Sequence, residues 1–160
     1  MDGYIGITDY SWFHFNKGKG HKQVIFWRTA AKPVQLGQGI PFFFLVKAPP
    51  QTIGYERMVE GFGSIEKLGS MRISELWDRY GQKTGAENLE LLTSRLRKDD
   101  SDVIGYYLLD GVVYLDRGIS LRKLGIEFSD RIVSGKRIDT RETRTLIACA
   151  ATIRKPDRRG

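Results

Sequence analysis

The chain has 160 residues, with 26 Lys plus Arg against 19 Asp plus Glu, two His and one Cys, and a formal charge of +7. That length suits one domain, or one domain with a tail, and 41% hydrophobic with 28% charged residues excludes wholesale disorder. Cys149 stands alone, which excludes an internal disulfide, and with only His14 and His21 besides it the chain lacks the four Cys/His ligands of the usual structural zinc site.

In chain order, Gly3–Thr8 is a short apolar, β-prone run ending at Asp9, and reads as a first strand. Asn16–Lys22 (NKGKGHK) reads as a Gly/Lys loop. Gln23–Trp27 is a second strand, and Leu36–Pro41 is a turn. Phe42–Lys47 (FFFLVK) is an unbroken apolar run of the kind covered on both faces of a sheet, stopped by Ala48-Pro49-Pro50. Thr52–Glu60 is expected to return as a partner strand. Ile73, Leu76, Trp77 and Tyr80 share one helical stripe that ends at Gly81. Thr84-Gly-Ala-Glu87 has capping-box spacing before a helix carrying Leu89, Leu92 and Leu96. Val103–Leu109 and Val112–Leu115 flank Asp110-Gly111, a two-residue hairpin signal. Arg131–Lys136 is a short strand or turn. Asp139–Ile153 forms a final helix with Leu146, Ile147 and Ala150 on one side. The sum is an α+β fold with a curled, mostly antiparallel sheet and flanking helices.

The opening MDGYIGITDY is no signal peptide, and no stretch approaches 18 apolar residues, so a cytoplasmic protein without a membrane partner is expected. Charge is uneven. Residues 1–50 carry six Lys/Arg against two Asp/Glu, residues 51–110 eight against eleven, and residues 111–160 twelve against six. Two basic ends around an acidic middle suit a polyanion, with the acidic helices on the side turned away from it.

No nucleophile elbow, Walker loop or dinucleotide fingerprint occurs, and Cys149 sits in the apolar run LIACAA as a buried, inert thiol. Aromatic and polar residues collect instead at strand ends. Thr8, Asp9, Tyr10 and Trp12 leave the first strand, Trp27 and Arg28 end the second, and Lys47 and Tyr55 bracket the next turn. A base taken out of its stack needs flat faces, a hydrogen-bonding group for its Watson–Crick edge and cations for the flanking phosphates. Asp9 can accept from an exocyclic amine, Tyr10, Trp12 and Trp27 can stack, and Arg28 and Lys47 can hold phosphate. Core packing competes for both tryptophans, because Trp commonly buries its ring and keeps one edge accessible.

The order YIGITDYSWFHF, VIFWR, FFFLVKAP, ELWDRYGQKTG and IVSGK resembles the PUA-like modified-base reader domains of EVE and SRA type that precede HNH nucleases in bacterial restriction enzymes. The resemblance spans roughly residues 1–138. It implies a PUA-like reader over residues 1–153 and a basic linker over residues 154–160 leading to a C-terminal nuclease. The expected base pocket comprises Thr8, Asp9, Tyr10, Trp12, Trp27, Phe44 and Tyr55, of which the resemblance implies Thr8, Asp9, Trp27 and Phe44. The expected phosphate contacts, read from the charge pattern and the strand ends, are Lys19, Lys22, Arg28, Lys47, Lys136 and Arg137. No metal, cofactor or catalytic residue is expected of this chain itself. Two departures from the EVE pattern stand out: Gly39 is followed by Ile40 where the turn usually carries an acid, and Thr29 replaces an Asn.

The leading expectation is therefore a non-catalytic domain that flips a modified cytosine, 5-methyl or 5-hydroxymethyl, out of double-stranded DNA. It would target a modification-dependent HNH endonuclease of type IV restriction, that is, phage defence, with dimerisation through the nuclease. One alternative is an ASCH-like hydrolase of modified nucleosides, using Lys47 with Thr52 and Glu56 or Glu60. Another is a PUA-like module that binds RNA or protein through its aromatic residues.

Overall fold

Six strands and four α-helices make up the described part of the chain, which in this computed structural model is residues 1–31 and 33–154, Arg154 by its backbone alone. The strands are β1 (Gly3–Thr8), β2 (Val24–Arg28), β3 (Pro41–Val46), β4 (Met58–Arg72), β5 (Val103–Ile119) and β6 (Gly135–Ile138). The helices are α1 (Tyr10–Lys19), α2 (Ile73–Tyr80), α3 (Leu89–Leu96) and α4 (Thr140–Arg154), with a 3₁₀ turn at Gly81–Thr84. Strand order is β2-β5-β4-β3-β1-β6. β1 runs parallel to β3, with Thr8 opposite Val46, and antiparallel to β6, while β2 is antiparallel to β5. The fold is α+β with a mostly antiparallel sheet, as the sequence predicts. Among the described residues, no helix is long and apolar enough to cross a membrane.

The chain folds into two compact units: Met1–Tyr10, Ile40–Phe62 and Val113–Gly160 form the first, and Ser11–Gly39 with Gly63–Val112 the second. The first unit has its own core. β1 is buried along its whole length between β3 and β6, and Ile5, Ile7, Phe43 and Leu45 pack with Leu146 and Ala150 of α4. The continuous FFFLV run is inaccessible because it too is flanked on both sides. In the second unit, Ile73 and Leu76 of α2 and Leu92 and Leu96 of α3 close over Ile25, Ile104 and Tyr106. Each core excludes water from several large side chains at about 25 cal/mol per Å² of apolar surface, which is the main favourable term in folding.

Several sequence expectations need correction. Tyr10–Lys19 is a helix, not the exit of a strand followed by a loop: Trp12, Phe13 and Asn16 turn inward on one face, that tertiary burial outweighs the cost of Gly18, and Gly20, at a φ of 66°, follows the helix end. The predicted strand Thr52–Glu60 is an exposed loop as far as Arg57, and β4 starts at Met58. Asp110-Gly111 is no hairpin. Gly111 takes a φ of 60° inside one continuous 17-residue strand, so its left-handed geometry bends the strand without reversing it. The cap of α3 is Asn88, whose side chain accepts from the Leu91 N–H at 2.9 Å, because Thr84 is already spent closing the 3₁₀ turn onto the Gly81 carbonyl. Ile147 stands 42% exposed on the outer face of α4, away from Leu146 and Ala150. The expected basic linker lies outside the described residues, apart from the Arg154 backbone.

Candidate functional site

The parallel pairing of β1 and β3 puts both their carboxyl ends at the same edge of the first unit, an arrangement that leaves loop side chains free to meet a ligand. The Lys47 N–H donates to the Thr8 carbonyl at 2.9 Å and locks the two exits together. Thr8 is fully buried and its hydroxyl is satisfied by the Gly6 carbonyl, so it supports the edge and does not reach into solvent. Asp9 and Lys47 are exposed and Tyr10 is half-buried.

Tyr55 joins this group from the loop after β3. Its hydroxyl is held above the ordinary tyrosine range, first by the part of the phenol that is shielded, then by the nearby Glu60 carboxylate and by Tyr10. The ring itself stays 41% exposed. Behind that contact one oxygen of Glu60 is buried and has no hydrogen-bond partner. Such an atom costs roughly 1–3 kcal/mol and calls for a role.

Tyr55 is also a wall of a cleft of about 660 Å³ within the first unit. Phe128 supplies a second aromatic surface, and Arg57 and Arg122 bring guanidinium groups. Glu56, Glu127 and Asp130 add carboxylates, yet no ion pair forms between these acids and the two arginines among the described residues. Glu56 is held instead by Ser120, whose buried hydroxyl donates to it at 2.6 Å and accepts from the Lys123 N–H at 3.3 Å. Lys136 donates to the Glu127 carbonyl at 2.8 Å, which anchors a further cation on the segment that lines the cleft.

Of the residues singled out from sequence, the structure gathers Thr8, Asp9, Tyr10, Lys47 and Tyr55 at one edge. Phe44 lies in the core against Phe42, with no surface for a base. Trp12 and Trp27 belong to the second unit. The Trp12 ring is 3% exposed and packs edge-on to Phe26, its indole N–H donating to the Ile25 carbonyl, and the half-buried Trp27 donates to the Thr84 carbonyl. Arg28 stacks over Phe26 at 4.7 Å, Lys19 stands 5.8 Å from the Phe15 ring, and Lys22 and Arg137 are exposed. Sequence reasoning passed over Arg57, Arg122 and Phe128. The alternation of cations with one aromatic residue in RKLGIEFSDR was the available signal, and it falls where no regular element is predicted.

No protein-family model matches the sequence, and no curated protein matches it. Solved structures do. ASCH from Zymomonas mobilis superposes with a TM-score of 0.63 at 17% identity, over 90% of this chain and 94% of that one. A tyrosine-to-phenylalanine variant of the same protein gives 0.64 at 17% identity, over 90% and 96% of the two chains. A Pseudomonas syringae protein gives 0.53 at 11% identity, over 92% and 98%. These neighbours show the fold alone, a PUA-like one shared with the Zymomonas mobilis ASCH structures.

Proposed function

We propose that the chain is an ASCH-like nucleic-acid module that takes one nucleotide of a single-stranded RNA, turned out of its stack, into the cleft of the first unit. The observation that carries this reading is the pairing of two aromatic walls, Tyr55 and Phe128, with two guanidinium groups, Arg57 and Arg122, on one cleft. A base stacks on flat side chains for about 1–3 kcal/mol, and the arginines meet the phosphate. The carboxylates suit the other half of the same ligand, since exocyclic amines need acceptors. The ASCH likeness supports an RNA or nucleoside ligand better than the targeting module of a modification-dependent endonuclease.

Titration of short RNA against wild type and against Arg57→Ala, Arg122→Ala and Phe128→Ala tests the proposal. Each arginine variant is expected to flatten the log–log salt dependence by about 0.7, and the Phe128 variant to weaken binding at all salt concentrations. Equal affinity in all four proteins rejects it. Tighter binding to a duplex carrying 5-methyl- or 5-hydroxymethylcytosine than to RNA restores the DNA-reader reading.

The unpartnered Glu60 oxygen favours a second reading, hydrolysis of a modified nucleoside, with Glu60 as the proton-handling group beside Tyr55. Lys47 and Thr52, the other members of the sequence-derived set, are both exposed, and Thr52 offers its hydroxyl no partner among the described residues. Turnover of an N-acylated cytidine that is lost in Glu60→Gln supports this chemistry, and absence of turnover in wild type removes it.

A further inference from the structure

Glu56, Glu127 and Asp130 line the cleft of the first unit, and Glu56 stands apart because its side chain is held in place. Ser120, 7% exposed, donates its hydroxyl to Glu56 Oε1 at 2.6 Å. A serine hydroxyl has one proton to give, and this one accepts from the Lys123 N–H at 3.3 Å, so the bond is directed from both sides. An exposed loop residue is thereby tied to a buried one just beyond the end of β5. For Glu127 it is the main-chain carbonyl that is held, by Lys136.

A carboxylate mounted in this way is a two-pronged acceptor. Its oxygens together offer about four lone-pair sites, of which the Ser120 hydroxyl uses one. The group it fits best is a pair of parallel N–H donors, the arrangement that makes bidentate contacts to carboxylates strong and specific. Of the four RNA bases, guanine alone carries such a pair on its Watson–Crick edge, the ring N1–H beside the exocyclic N2 amine. Adenine and cytosine set one amine beside an unprotonated ring nitrogen. Uracil sets one N–H between two carbonyl oxygens, which face a carboxylate unfavourably. Tyr55 and Phe128 can stack any base, and Arg57 and Arg122 meet the phosphate that all four nucleotides share, so neither pair selects among them.

We infer that Glu56, mounted on Ser120, is the base-reading group of the cleft and selects guanine by accepting from N1–H and the N2 amine together. The inference rests on the reading of the cleft as a nucleotide site and adds the identity of the base. The mount matters because an acceptor already fixed in the free protein is not ordered at the expense of binding. Glu56 is open to water, so the discrimination stays at the low end for a bidentate base contact, about five- to tenfold.

The test measures the affinity of the full chain for short oligouridines carrying a single central G, A, C or U, and for the same strand with inosine, which keeps N1–H and lacks the N2 amine. Wild type is expected to bind the G strand about five- to tenfold more tightly than the A, C and U strands, and the inosine strand to lose most of that advantage. Glu56→Gln replaces one of the two acceptors by an amine donor and is expected to bring the G strand level with the others. Phe128→Ala, titrated alongside, reports on the cleft itself by weakening every strand. Equal affinity for the four bases, an advantage for another base, inosine equal to G, or a G preference that survives Glu56→Gln overturns the inference. If Phe128→Ala still weakens binding in that case, the cleft reading stands without it. If no strand binds, or Phe128→Ala changes nothing, both fall.

Discussion

Ser120→Ala removes the hydroxyl that pins the loop carrying Tyr55, Glu56 and Arg57. The bond to Glu56 is short, at 2.6 Å, and comes from a residue only 7% exposed. A shielded hydrogen bond to a carboxylate contributes about 1.5–3 kcal/mol, but water can reach the exposed Glu56 once it is released, which lowers the net loss to about 1 kcal/mol. For a chain of this size that corresponds to a fall in Tm of about 2–4 °C. The loop must then be ordered by the ligand, so the same 1 kcal/mol reappears as roughly fivefold weaker RNA binding. Circular dichroism melts and an RNA titration measure both, with Ser120→Thr retaining the hydroxyl as the control. An unchanged Tm together with unchanged affinity refutes the role given to this bond.

Three further perturbations probe other parts of the molecule. Gly85→Ala places a methyl group inside the Trp12 ring at a φ of 91°, and left-handed strain plus overpacking predicts a loss of about 2–5 kcal/mol in urea unfolding. Gly18→Ala, with nothing within 4 Å of its new Cβ in α1, is expected to stabilise by about 0.5–1 kcal/mol in the same assay. Burial raises the Tyr114 hydroxyl above the ordinary range near 10, so above that pH the unfolded chain releases a proton that the folded protein keeps, and stability falls as pH rises. Urea unfolding between pH 9 and 11 should show that fall, and Tyr114→Phe should flatten it; equal slopes would contradict the assignment.

Much of the fold was legible because the relevant signals are local. The apolar run Gly3–Thr8 and the aromatic run after Pro41 announce buried strands, and the stripe Ile73–Tyr80 announces a helix that Gly81 stops, its N–H returning to the Trp77 carbonyl. What the sequence hid depends on partners distant along the chain. α1 exists because Trp12 and Asn16 find acceptors and walls within the second unit, which no local propensity records. β5 runs through Gly111 because its neighbours in the sheet hold it on both sides, against a strong hairpin signal. At the site, Thr8, Asp9, Tyr10, Lys47 and Tyr55 could be grouped because they follow the ends of recognisable strands. Arg57, Arg122 and Phe128 could not, since they come together only when two irregular loops close on the same cleft. Aromatic content misled in the opposite direction, as Phe44 and Trp12 serve packing.

The central claim, that the cleft accepts an unstacked nucleotide, is tested most directly by intermolecular NMR contacts to a short single-stranded RNA. Nuclear Overhauser effects from base protons to the Tyr55 and Phe128 rings, with shifted Arg57 and Arg122 side-chain signals, are the expected result. Saturable binding that leaves all four of these residues unperturbed would contradict it.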